Sequence, residues 1–414
     1  MSPGGSNVRP SRWTVLALLS AAELLGMSVW FAASAVSPQL RELWGLDAGQ
    51  AGWLTTIVQL GFVAGTATAA IFNFADLFPS RIYFTAAALL AGTVNGALLL
   101  APGYRTALAL RFLTGVFLAG VYPPAMKMIS TWFRSGRGLA IGTVVGALTV
   151  GKAMPYLVSA ISTIDYGFVI LTTTAGAVVS AVLVGFGYRE GPEPFERRPF
   201  SWGLIGTVVR HRPTRLAIGG YLGHMWELYA VWAGAILFFH DYYGRLSASD
   251  AASLVAASLA SFGLIAAGGA GAVLAGRWAD RLGRENVTIG SMVVSGSLCL
   301  LMGWLLEAPP WIVLPLALVW GFAVVADSAQ FSALVTEDAP RHAVGTALTL
   351  QTSLGFLLTA GTIWMMIEVE QRAGWGIAFS LLAIGPITGI QQMLRLKASR
   401  AGDGRAAVLH GGGT

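Results

Sequence analysis

LAIGGYLGHMWELYAVWAGAILFF, residues 216–239, is the stretch on which the fold reading turns. It is long enough to cross a bilayer, which takes roughly 20 residues. His224 and Glu227 nevertheless sit near its middle. Three residues apart, they lie on one side of a helix. A carboxylate at that depth costs on the order of 3 kcal/mol or more unless it is neutral, paired or hydrated. The segment therefore reads as a membrane helix that keeps an expensive group for a purpose.

The rest of the chain agrees. It has 414 residues, of which 55% are hydrophobic and only 11% charged, and its mean hydropathy is +0.67. Soluble domains carry about 25% charged residues, so an all-α polytopic membrane protein is expected. The 52 glycines fit close helix packing in a membrane. Cys299 is the single cysteine, which excludes an internal disulfide and any multi-cysteine metal site. Its place in an apolar helix predicts a packing role. The run after Arg9 and Arg12 resembles a secretory signal, but it is too long, contains Glu23 and has a counterpart later in the chain.

Apolar runs bounded by charges, glycines and prolines predict twelve helices, at about 13–37, 50–72, 82–101, 106–130, 138–160, 166–188, 215–239, 251–275, 286–306, 311–334, 343–367 and 374–396. The longest polar break, 189–214, is read as a linker between an N-terminal six-helix bundle (1–188) and a C-terminal one with a short tail (215–414). Pro199–Arg210 is expected to form a short surface helix. With the N-terminus inside, 20 of the 26 Lys and Arg fall in inside segments and four in outside loops. That asymmetry predicts cytoplasmic termini. It also explains the basic isoelectric point of about 9.7 without a nucleic-acid partner.

Several features recur 204 residues apart. Ala75-Asp76 returns as Ala279-Asp280, Arg137 as Arg341, and Glu23 as Glu227. A fixed offset between weakly similar halves predicts two equivalent bundles. The repeat makes helices 1 and 7 mates. It sets both acids about 10–12 residues into their helices, ~15–18 Å into a ~30 Å core.

At Gly276-Arg277-Trp278-Ala279-Asp280-Arg281-Leu282-Gly283-Arg284 the sequence resembles the major facilitator superfamily, whose signature loop G-x-x-x-D-R-x-G-R joins helices 8 and 9. The resemblance covers the whole chain. It implies twelve helices in two pseudo-symmetric bundles that alternate access to a central site. Gly276 and Gly283 would permit the tight turn, and Asp280, Arg281 and Arg284 would form a conformational latch. A plain turn with topogenic arginines is the competing reading. The loop after helix 2 is degenerate, keeping Asp76 and Arg81 but having Asn73 and Pro79 where glycines are expected. Arg111, in Arg111-Phe112-Leu113-Thr114-Gly115, matches an R-x-x-x-G pattern tied in the family to proton or substrate handling. It would bind an anion or, alternatively, snorkel to the outer surface. The Gly-Pro pattern of drug exporters is absent from helix 5, where Lys152 stands instead.

Glu227 with His224 leads the candidates for proton coupling, with Glu23 second, because desolvation disfavours the charged forms of carboxyl and imidazole alike. A static packing pair is the alternative. Arg111 and Lys152 stand at similar depth and would attract an anionic substrate. Trp226, Trp30, Tyr229 and Gln330 are expected to line the site, with Trp232 and Phe31 near, although aromatics at helical spacing also serve as packing anchors. Asp327 is expected to pair with Lys127 as an inner gate. Tyr122-Pro123-Pro124 should kink helix 4.

These readings converge on a secondary transporter of a small solute, proton-coupled and leaning to an anion, in a bacterial inner membrane, as a monomer. Its partners would be the solute, protons and the lipid bilayer. Two alternatives stay open: proton-coupled efflux of a hydrophobic or cationic compound, and a non-transporting receptor on the same fold. No P-loop G-x-x-x-x-G-K-[ST] occurs. No enzyme, cofactor or metal is expected.

Overall fold

The computed structural model describes residues 10–133, 136–161, 165–193, 200–247 and 249–411, with the side chains at 48, 75, 76, 137 and 402–411 outside that description. The described residues contain helices and turns but no strand. Among the described residues the helices group into twelve successive passes. They are α1 (Arg12–Met27, resuming as Ala32–Ala35 and Ser37–Trp44), α2 (Ala48–Ile71), α3 (Ser80–Gly96), α4 (Tyr104–Leu118 and Tyr122–Ser130), α5 (Arg137–Ile161) and α6 (Tyr166–Gly187). After the linker come α7 (Arg212–Leu246), α8 (Asp250–Leu282), α9 (Arg284–Met302) and α10 (Pro310–Ala326 and Ser328–Asp338). The helical stretch Val344–Leu382 breaks at Gly374 (φ 78°, ψ 172°), and Ile384–Gly411 follows it. It therefore supplies α11 (344–373) and the start of α12 (375–411).

Ten stretches are long and apolar enough by themselves to cross a membrane. The last of them runs 61 residues. At 1.5 Å per residue it is about three times the ~30 Å core and holds two passes. The first pass is missing from the ten because its break leaves pieces that are each too short.

Three passes are interrupted where the sequence predicts continuity or only a kink. In α1 the Ser28 hydroxyl donates to the Leu25 carbonyl at 2.6 Å, competing with the backbone ladder. The chain then turns through Val29–Phe31 before helix resumes. In α4 the helix stops at Leu118 and restarts at Tyr122, with Pro123 and Pro124 in its first turn. Proline lacks an N–H and is tolerated there, so the expected kink is present. In α10 the break falls at Asp327, which the sequence reading did not anticipate. By contrast α7 is continuous over 35 residues and buried on nearly all sides. Of the expected linker helix, the described part is a turn at Trp202–Leu204 leading into Ile205–Arg210; Pro199 lies outside the described residues.

Contacts sort the passes into two bundles. In the first, α1 packs on α5 and α6, and α2 on α4; in the second, α7 packs on α8, α11 and α12, and α8 on α10. Two seams join the bundles, α5 against α8 and α2 against α11. A 204-residue repeat equates α2 with α8 and α5 with α11, so each seam is the symmetry image of the other. The α5–α8 seam is built from small residues. A Cβ on Gly142 would sit 3.0 Å from the Ala272 carbonyl oxygen, and one on Gly146 2.8 Å from that of Gly269. Backbones approach this closely only where side chains are absent. Leu171, Val178, Val182 and Phe186 of α6 are exposed on the outside, as a lipid-facing surface requires.

Candidate functional site

The centre of the molecule, where the bundles meet, is a cluster of aromatic rings around one ammonium group. Lys152 of α5 is 2% exposed. Its Nζ donates to the Tyr229 hydroxyl. The same Nζ lies 4.0 Å from the Trp30 ring centroid, 4.7 Å from that of Tyr229 and 5.5 Å from that of Trp232. Cation–π contacts of this kind contribute about 2 kcal/mol when desolvated. No carboxylate of the described residues lies within ion-pair distance of Lys152. A second layer encloses the cage: Phe62 of α2 and Phe356 of α11 have ring centroids 4.5 Å apart, and Phe356 lies 5.2 Å from Tyr229. Both bundles thus contribute to one site. Gly151 holds Lys152 in place, since a Cβ there would overlap the Leu24 carbonyl of α1.

Local backbone explains why Trp30 reaches the cage. It sits in the interruption of α1, whose freed carbonyls need donors. Arg111 supplies them: Nη1 donates to the Val29 carbonyl at 3.0 Å and Nη2 to the Trp30 carbonyl. Nη1 also meets the Asn95 side-chain oxygen at 3.3 Å, and the Asn95 amide donates to Thr173 and Thr174 of α6. Arg111 is fully buried, which corrects the snorkelling expectation. Its two terminal nitrogens clamp the broken helix instead of reaching the cage.

The three acids expected to matter have separate surroundings. Glu23 is fully buried, neither of its oxygens has a hydrogen-bond partner among the described residues, and Lys152 is its electrostatic neighbour. Glu227 accepts from Ser295 Oγ at 2.9 Å, Trp320 Nε1 at 3.0 Å and Cys299 Sγ at 3.2 Å. Cys299 therefore does more than pack. Asp327 stands at the break of α10, with one carboxylate oxygen 2.8 Å from His224 Nδ1. This corrects two expectations. His224 partners Asp327 and not Glu227, and Asp327 meets that histidine in place of the expected Lys127. Lys127 itself is half-buried in the second piece of α4.

Two expected lining residues lie elsewhere. Trp226 faces α12, its Nε1 donating to the Leu381 carbonyl at 3.2 Å. Gln330 accepts from Arg284 Nη1 at 2.9 Å. That contact places it in the ion-pair network where α8 turns into α9. There Gly283 adopts φ 84°, a conformation that favours glycine. Arg284 bonds Glu337 at 2.7 Å. Arg400 bonds Glu285 at 2.6 Å and Asp338 at 2.7 Å. Across the seam, a Cβ on Gly138 would lie 3.7 Å from both Asp280 oxygens, so this acid stands beside the first turn of α5, where a helix dipole favours negative charge. Gly276 packs on the Gly138 backbone. Arg281 and Arg81 are exposed, and the side chain of Asp76 lies outside the described residues.

Phe62, Phe356 and Trp320 were not singled out from the sequence. One signal was present: Phe356 lies 204 residues after Lys152, so the repeat that pairs the two acids also pairs these positions.

The chain belongs to the Major Facilitator Superfamily, whose sequence profile matches residues 18–363. Among solved structures it is similar to a bacterial homologue of the human lysosomal transporter Spinster, in an inward-facing and unoccupied conformation. That match has a TM-score of 0.64 and 16% identity, covering 94% of this chain and 95% of the other; at this identity it speaks for the fold alone. No curated protein matches the sequence. The protein is thus a multi-pass membrane transporter of this superfamily.

Proposed function

We propose that the protein is a proton-coupled secondary transporter of a small organic or inorganic anion, with Lys152 as the anchor for the anion and Glu23 as the proton carrier. The observation that carries the reading is the setting of Lys152: a buried amine at the meeting of both bundles, held by a hydroxyl and ring faces and, among the described residues, by no carboxylate. An anion entering the cage would supply the missing charge. Glu23, with neither oxygen hydrogen-bonded, can exchange a proton for an ion pair with Lys152 as the anion leaves. Arg111 leaves the proposed substrate set because both of its terminal nitrogens donate to α1 carbonyls. Access alternates by rocking of the bundles about the α5–α8 and α2–α11 seams, with Asp280 latching the linker face against α5. At the far face a groove of about 570 Å³ opens between the bundles, lined by Arg41 and Glu42 of α1, His240 of α7 and Asp250 of α8. We place the linker face in the cytoplasm on the strength of its positive charges.

The test is uptake into proteoliposomes under an imposed pH gradient, screening anions for competition. Lys152→Gln is expected to abolish competition, whereas Glu23→Gln removes the response to the pH gradient but leaves anion exchange. Anion competition that survives in Lys152→Gln overturns the anchor assignment.

A second reading draws on the cage itself. Trp30, Tyr229 and Trp232 form the kind of box that binds a quaternary or primary ammonium, with Lys152 as a tethered occupant that a cationic substrate displaces. It predicts that Lys152→Met binds tetraalkylammonium ions more tightly than the parent protein. The anion reading predicts the loss of all substrate binding in the same variant.

A further inference from the structure

At the linker face a groove of about 620 Å³ lies between the linker helix, α7, α11 and α12. Arg212, Arg215 and Arg395 line it, and among the described residues no acidic one does. The contrast with neighbouring charges on this face is sharp. Arg284 and Arg400 are each committed to carboxylates of Glu285, Glu337 or Asp338. Arg212 and Arg395 have no acidic partner among the described residues, and Arg215 meets only the Val209 carbonyl, at 3.1 Å. All three are exposed.

The groove changes character with depth. From Arg212 to Leu222, ten residues of α7 carry the wall about 15 Å into the bilayer. The opposite wall is Leu350 and Leu354 of α11. Leu354 is 39% exposed, and Leu357 beyond it 52%, both on the membrane surface. The mouth is cationic, the deeper wall is apolar, and the wall runs on into the lipid-facing surface. A free phosphate would use the mouth alone. A phospholipid would use both parts, with its phosphate among the arginines and its first methylenes along the leucines.

We propose that this groove binds an anionic phospholipid from the leaflet at the linker face, so that one lipid bridges the linker helix to α7, α11 and α12. No residue lining the groove belongs to the Lys152 cage, and the proposal stands whatever the transporter carries.

Native mass spectrometry of the delipidated full-length protein, titrated with phosphatidylglycerol or with phosphatidylethanolamine of identical chains, tests it. Phosphatidylglycerol is expected to bind at least tenfold more tightly. Arg212→Gln and Arg395→Gln, at exposed positions without partners, should each weaken it about fivefold, and the triple change including Arg215→Gln on the order of 100-fold. The corresponding lysine triple keeps the preference for the anionic lipid. Arg41→Gln and Arg245→Gln, on the far face, leave binding unchanged. Equal binding of the two lipids, or unchanged binding in both single variants, overturns the proposal. Displacement of the lipid by millimolar inorganic phosphate would overturn the lipid assignment and leave a plain anion site.

Discussion

Glu23 on α1 and Glu227 on α7 occupy matching places in the two bundles, 204 residues apart. Glu227 receives three hydrogen bonds, all from α9 and α10 of its own bundle. Glu23 receives none among the described residues and has Lys152 as its ionisable neighbour. The helices differ as well: α7 runs unbroken past its acid, whereas α1 opens four residues beyond Met27 before resuming. The position equivalent to Lys152 is Phe356, and both residues enter the same central cluster. The repeat has preserved the scaffold while dividing the labour. A carboxylate fully supplied with donors is a fixed structural node. One without donors is available for exchange.

The comparison breaks most directly at the two acids. Glu23→Gln should reduce pH-driven transport by at least about 100-fold, which is about 2.7 kcal/mol in the barrier, while Glu227→Gln changes it by about threefold or less. Initial rates in proteoliposomes decide this, and the reverse order would restore the expectation that α7 carries the proton. Next comes the clamp on the broken helix. Arg111→Ala should destabilise the protein by about 2 kcal/mol by stranding the Trp30 carbonyl and leaving the Val29 carbonyl only its 3.4 Å bond from the Ala32 N–H. Arg111→Lys should not rescue it, because an ammonium lacks the planar fork. If thermal unfolding in detergent is unmoved and the substrate affinity falls instead, Arg111 returns to the binding site.

A smaller effect is expected at the satisfied node. Trp320→Phe removes the indole donor to Glu227 and should cost about 1 kcal/mol of stability, visible as a lower melting temperature at unchanged transport affinity. Smallest is Trp30→Phe, which keeps a ring over Lys152 but a weaker one. Apparent substrate affinity should fall about threefold, with the melting temperature held.

The fold was largely legible because membrane crossing imposes length and hydropathy on every pass, and the duplicated Asp and Glu positions exposed the repeat. The site was legible in residue types more than in partnerships. His224 and Glu227 share a helix side, but residues three apart diverge by about 60° around the axis at 3.6 residues per turn. On a helix buried all round, that angle sends one to Asp327 and the other to Trp320. Trp226 is lost to α12 for the same reason. Arg111 could not be assigned without knowing that α1 opens, since its partners are backbone carbonyls that a continuous helix would have consumed. Phe62 carries no signal in an apolar helix, and Phe356 is marked only by its place 204 residues after Lys152. Gln330 and Asp327 lie beside an interruption of α10 that no proline or glycine announces.

One consequence follows from the glycine contacts of α5 with α8. Gear teeth interlock only where side chains interdigitate, and here Gly142 meets bare main chain at Ala272, while Gly146 and Gly269 each meet one valine methyl, of Val273 and Val150. Such a contact works as a bearing with two small detents: sliding along this line has to displace only two valine methyls. The image seam carries a larger tooth, for Gly52 of α2 faces the Ile367 side chain of α11, and sliding there must displace a longer branched residue. Motion between the halves is therefore expected to turn about the first line and to be metered at the second.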